Sequence, residues 1–130
     1  MIRLTYSTRY KTELQEITAD VREAIVKSGI HTGAANVFVP HSTCGIFVSE
    51  NQDPNVGRDL LGALHRLVPA EGPYAHNGGN ADGHIKSAIM GTNVTIPVEN
   101  ATLMIGPWQG IFLGEFDGPR ERTVYVNILS

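Results

Sequence analysis

A single cysteine, Cys44, stands among the 130 residues, so no intrachain disulfide can form and a reducing compartment is the expected setting. No apolar run is long enough to cross a bilayer, and no secretory pattern opens the chain, which points to a cytoplasmic protein without a membrane partner. Basic charge is short as well. Ten Lys and Arg against 13 Asp and Glu leave a formal charge of −3, which speaks against a nucleic-acid partner. Charged residues make up 18% of the chain, few for a lone monomer, and this hints at surface covered by other subunits. Repeats, low-complexity tracts and linkers are absent, so residues 1–130 read as one domain. Nor is there a Walker sequence, a G-x-G-x-x-G, an H-x-H or an H-E-x-x-H.

What is present is a mixture of strand and helix signals. Arg3 to Thr8 alternates weakly as a strand does, and Leu14 to Ile17 fits either a strand or a helix start. Thr18 is placed to cap a helix whose apolar face carries Val21, Ala24, Ile25 and Ser28 and which Gly29 stops. Ala35 to Pro40 and Gly45 to Glu50 read as strands around the His41–Cys44 segment. Asp53-Pro54 opens a second helix with Val56, Leu60, Ala63, Leu64 and Leu67 on its buried stripe. A short helix is expected from about His84 to Met90, closed by Gly91. The last third is β: Thr92–Val98 and Ala101–Ile105 about a turn at Glu99-Asn100, then Ile111–Asp117 and Arg122–Leu129 about Gly118-Pro119. About seven strands with two main helices predict an α+β fold, a two-sheet sandwich, over a doubly wound one.

Chemistry concentrates in polar segments. His41, His76 and His84 lie in loop-like stretches, and Tyr74 to His84 packs two imidazoles, Asp82, two carboxamides and three glycines together. If the three histidines converge, with Asp82 or Glu115 as ligand or orienting carboxylate, they suit a divalent ion, zinc or magnesium. The alternative is a set of hydrogen-bonded loop histidines. Asn77-Gly78-Gly79-Asn80 leads into a helix and can serve as an anion cradle or merely as a connector. Beside His41, Ser42 and Thr43 offer hydroxyls for substrate, while adjacent strand residues face opposite sides and argue against a His41–Ser42 pair. Cys44 reads as small packing. Trp108 can stack on a flat heteroaromatic ring with Gln109 bonding to it, or fill a core or subunit interface. Glu115 shares a strand face with Ile111 and Leu113 and so needs a metal or a cation as partner, while Arg120 or Arg122 suits a phosphate.

Several runs together resemble the YjbQ-type family: His41-Ser42-Thr43-Cys44-Gly45, Glu50-Asn51-Gln52-Asp53-Pro54, Asn80-Ala81-Asp82-Gly83-His84-Ile85-Lys86-Ser87, Gly106-Pro107-Trp108-Gln109-Gly110-Ile111 and Glu115-Phe116-Asp117-Gly118-Pro119-Arg120. They occur in family order over nearly the whole chain. Pro107 stands where threonine is usual in that family, and Ser49 where asparagine is common. The resemblance implies a cytosolic α+β homotrimer and an activity like that of secondary thiamine-phosphate synthases. In that reaction a hydroxymethylpyrimidine diphosphate ionises and a thiazole phosphate attacks the carbocation, releasing pyrophosphate.

The expected roles follow from that reaction. His41, Glu115 and Asp82 would be catalytic, and His41, His76 and His84 would hold the metal. Ser42, Thr43, Gly79, Asn80, Trp108, Gln109 and Arg120 would bind substrate, with Trp108 flanking the cationic ring. Lysine is thin near these residues, which leaves positive charge for a metal to supply. Two rivals use the same residues: a metal-assisted phosphate or ester hydrolase, and a trimeric metal- or metabolite-binding protein without turnover.

Overall fold

A computed structural model describes all 130 residues. Eight strands and three helices follow in the order β1 (Ile2–Ser7), β2 (Glu13–Glu16), α1 (Thr18–Ser28), β3 (Gly33–Phe38), β4 (Cys44–Glu50), α2 (Pro54–Leu67), α3 (Ala81–Met90), β5 (Asn93–Glu99), β6 (Thr102–Leu103), β7 (Gln109–Glu115) and β8 (Glu121–Leu129). The strands form two sheets, β1-β8-β3-β5-β6 and β2-β7-β4, with every pairing antiparallel. This is the expected α+β sandwich.

Alternation sends one face of each strand into a shared core. Val124 and Val126 of β8 meet Ala35 and Val37 of β3 and Ile96 and Val98 of β5. The second sheet supplies Ile46 of β4 with Ile111 and Leu113 of β7, and α1 adds Val21, Ala24 and Ile25. On the far side of the smaller sheet, Phe47 and Phe112 stack at 6.0 Å.

Local chemistry explains where the elements depart from expectation. The Leu14–Ile17 ambiguity resolves as strand β2, whose partner is β7. Thr18 does not cap α1. Its hydroxyl donates to Glu16 and accepts the Ile111 N–H at 2.9 Å, tying the helix start to β7. Gly29 ends α1 at φ 70°, and Asp53 caps α2 by accepting the Asn55 N–H, both as the sequence indicates. The β5–β6 turn lies at Asn100 and Ala101, with φ of 52° and 57°, one residue later than expected. Strand β6 stops at Leu103 because the next position faces Pro97. The Met104 N–H donates to the Pro97 carbonyl, and proline has no N–H to return. Helix α3 begins at Ala81, one turn before His84, and that turn decides which way Asp82 faces.

Candidate functional site

The turn between β7 and β8, residues 116–120, brings the chemistry-bearing segments together. Glu115 ends β7, wholly buried with 1% of its side chain exposed. Arg122, one residue into β8, is 4% exposed and grips it through Nε to Oε2 at 2.7 Å and Nη2 to Oε1 at 2.6 Å. Thr8 Oγ1 donates to Oε2 at 2.9 Å and the Asp117 N–H to Oε1 at 2.9 Å. Burial alone would raise the Glu115 carboxyl, but the bonds from Arg122, Asp117 and Thr8 outweigh it and hold it below the usual glutamate range. Such a carboxylate has no lone pair left to act as a catalyst or ligand. The expected catalytic role of Glu115 gives way to a positioning one.

Thr43 is likewise committed. Its Oγ1 accepts Arg122 Nη2 at 2.7 Å inside the protein, so it does not face substrate, whereas Ser42 beside it is exposed. Cys44 is buried, and burial pushes its thiol up to about 12, which fits packing and excludes a nucleophile.

His41 meets β8 directly. The Thr123 N–H donates to its Nε2 at 3.0 Å. Burial first, then the charge of Arg122, holds the imidazole below the usual histidine value against the opposite pull of Glu115.

On the outer side of the same turn runs a second chain of bonds. Arg120 Nη2 meets Asp117 Oδ2 at 3.0 Å, and Asn80 Nδ2 donates to the same oxygen at 2.8 Å. Asn80 Oδ1 therefore faces His76, and His76 Nε2 donates to it at 2.9 Å. This fixes the amide of Asn80 and leaves the Nδ1 lone pair of a neutral His76 free. The His76 and His84 rings stand edge to face, 5.1 Å apart. With Tyr74, Ala81 and Ile85 they line an open cavity of about 400 Å³. Gly79, at φ +79° with space around it, makes the bend that carries the chain from His76 into α3.

Asp82 does not join the histidines. Residues two positions apart on a helix are separated by roughly 200° around the axis, so Asp82 turns inward as His84 turns out. There it is buried, bonded to Lys86 Nζ at 2.9 Å with Lys11 at 3.8 Å. Burial pushes its carboxyl up, and the bond and charge of Lys86 more than reverse that. Its role is structural.

No three His, Cys, Asp or Glu side chains gather as a metal-holding group. The donors explain why: His41 Nε2 is held by the Thr123 N–H, and Glu115 and Asp82 are ion-paired, which leaves only His76, through Nδ1, and His84 as open donors. The residues of one chain therefore do not fit the expected zinc or magnesium site.

Trp108 and Gln109 lie at the opposite end of β7 from Glu115. Seven strand residues put those ends about 20 Å apart. Trp108 is 64% exposed, so it is no core residue. Gln109 turns back to accept the Gly106 N–H at 2.9 Å. Within one chain neither reaches the histidines, and the expectation that Trp108 flanks their substrate is not met. Thr8, Tyr74 and the bridging role of Asp117 were not expected. The Asn80–Asp117 bond crosses 37 positions, and nothing local signals it.

The molecule is thus a two-sheet α+β domain with a histidine- and arginine-lined face at one end of its smaller sheet. Residues 2–130 match the family model described as UPF0047 protein YjbQ-like, and the chain belongs to that family. It is 40% identical over 130 residues to the UPF0047 protein MJ1081 of Methanocaldococcus jannaschii, covering all of this chain and 94% of that one. YugU of Bacillus subtilis is 39% identical over 128 residues, 98% of this chain and 97% of its own. A crystal structure of a YjbQ/UPF0047-family protein from Clostridium acetobutylicum superposes with a TM-score of 0.98 at 43% identity, covering 99% of this chain and 100% of that one.

Proposed function

We propose that this protein is a small enzyme acting on a phosphorylated metabolite, with the activity of a secondary thiamine-phosphate synthase. The observation that carries the reading is the bonded series Arg120–Asp117–Asn80–His76 beside His84 and an open cavity. It presents a fixed guanidinium and two imidazoles to solvent without burying any of them. In the proposed reaction the bond from the pyrimidine methylene to the diphosphate oxygen breaks, pyrophosphate leaves, and the thiazole nitrogen bonds to the carbocation. Arg120, Ser42 and the N–H groups about Gly79 would hold the phosphate oxygens, so that catalysis is electrostatic.

His76 and His84 alone make only half of a four-ligand metal site, so the charge stabilisation falls to the chain's own donors. A cytoplasmic homotrimer completes the proposal. Its support is the family resemblance, the scarcity of charge, and exposed apolar side chains such as Leu67, Ile89 and Trp108.

The deciding experiment mixes the two thiamine precursors with wild type, Arg120→Ala and His84→Ala, following thiamine phosphate and pyrophosphate. Product from wild type that falls steeply in both variants supports the reading. Turnover indifferent to both residues overturns the site, and no thiamine phosphate from wild type overturns the reaction. Metal analysis of untagged wild type and His84→Ala runs alongside, and a stoichiometric ion lost in the variant would restore the metal.

A further inference from the structure

A backbone amide has a proton to give and no lone pair to accept one. The Thr123 N–H lies 3.0 Å from His41 Nε2, so Nε2 is the acceptor. In the neutral ring the proton then sits on Nδ1, for which no partner exists within the chain. Burial and the charge of Arg122 favour that neutral ring.

Arg122 shows the same pattern. Nε and Nη2 make every bond to Glu115 and Thr43, and Nη1 makes none. Here are two donors, each locked from behind by bonds to other groups. The arginine charge is already balanced by Glu115, and its planar fork is fixed in place.

We infer that His41 Nδ1–H and Arg122 Nη1 together form a preset receptor for an oxyanion, a phosphate or pyrophosphate oxygen of the substrate. The inference rests on the phosphorylated-substrate reading and changes the part His41 plays in it. With its Nε2 lone pair held by β8, His41 is neither a general base nor a metal ligand. It is a neutral donor, and the acceptor-side imidazole of the face is His76, whose Nδ1 is free. Placing fixed dipoles where charge builds up is the way such donors lower a barrier.

Two measurements test this. Long-range ¹H–¹⁵N spectra of the imidazoles should show His41 as the Nδ1–H tautomer and its Nδ1 signal moving when inorganic pyrophosphate is added. An Nε2–H tautomer overturns the inference whatever the enzyme does. Titration calorimetry with pyrophosphate then compares wild type, His41→Gln and Arg120→Ala. Glutamine keeps an acceptor for the Thr123 N–H, and its own N–H donors sit one bond further out than Nδ1, so the variant should fold normally and bind roughly tenfold more weakly, the size of one good hydrogen bond. If His41→Gln binds as wild type while Arg120→Ala does not, the receptor is wrong and the phosphate reading stands. If wild type itself fails to bind, both fall.

Discussion

The two ends of β7 hold charge in opposite ways. At the Glu115 end four donors from β1's margin, the β7–β8 turn and β8 converge on one buried carboxylate. At the Gln109 end Glu16 is exposed, with one oxygen shared by Thr18 and Asn51, and the clefts about it, about 340 and 380 Å³, stand open. One end is rigid because desolvation would otherwise be costly, and so it can aim His41 and Arg122. The other is solvated and free to adjust. Preset donors are what a charge-stabilising site requires, and only the Glu115 end has them.

The largest expected effect lies in that buried pair. Glu115→Ala or Arg122→Ala leaves an uncompensated buried charge and should cost about 3–5 kcal/mol in urea unfolding, whereas Glu16→Ala should cost far less. Equal losses would erase the contrast between the ends. The pair also sets an acid limit. The folded carboxyl of Glu115 is depressed, so its contribution is complete above the ordinary glutamate range and disappears as pH falls through the lowered folded value. In Glu115→Gln that acid-side slope should flatten.

Two glycines on the same strand sharpen the comparison. A Cβ at Gly114 would meet Phe116 Cζ at 2.8 Å and Phe47 Cε1 at 3.0 Å, ring carbons in packed surroundings. Gly114→Ala should cost about 1–3 kcal/mol by thermal or urea unfolding. At Gly110 the nearest atom, at 2.5 Å, is Oε2 of Glu16, the far end of a flexible side chain. Gly110→Ala should be the milder of the two, and the reverse order would mean the Gln109 end is the stiffer.

Arg120 separates stability from binding. Its pair with Asp117 is half exposed and should contribute less than about 1 kcal/mol to folding. Arg120→Ala should therefore unfold almost as wild type yet lose pyrophosphate. Loss of fold and binding in parallel would make Arg120 a strut.

Much of the rigid end was legible. Strand alternation puts Glu115 on the side of Ile111 and Leu113, and Arg122 on the side of Val124 and Val126, so two charges pointing inward on neighbouring segments had only each other. What hid the pairing was that β7 and β8 lie in different sheets, which no periodicity reveals. The inward turn of Asp82 is hidden because its helix starts a turn earlier than the glycine-rich run suggests: Asn80 makes no side-chain cap there, being bonded to His76 and Asp117. Trp108 stands out in the sequence by residue type alone. Its distance from the histidines follows from strand length alone and could have been counted.

The smallest expected effect is at that tryptophan. Being 64% exposed, Trp108→Ala should change the unfolding free energy of the single chain by no more than about 0.5 kcal/mol. The same variant asks whether the two ends stay apart in solution. A homotrimer would have three times the 14.1 kDa mass of the chain, which sedimentation equilibrium measures directly. If Trp108 anchors the proposed interface, its removal should shift the trimer toward monomer, since a buried interface tryptophan is often worth about 2 kcal/mol or more. If pyrophosphate affinity drops while the trimer persists, Trp108 of one subunit reaches the histidine face of another, and the 20 Å separation along β7 is closed by assembly. Unchanged mass and affinity would leave the Gln109 end outside the site altogether, and the active face would be the work of one chain.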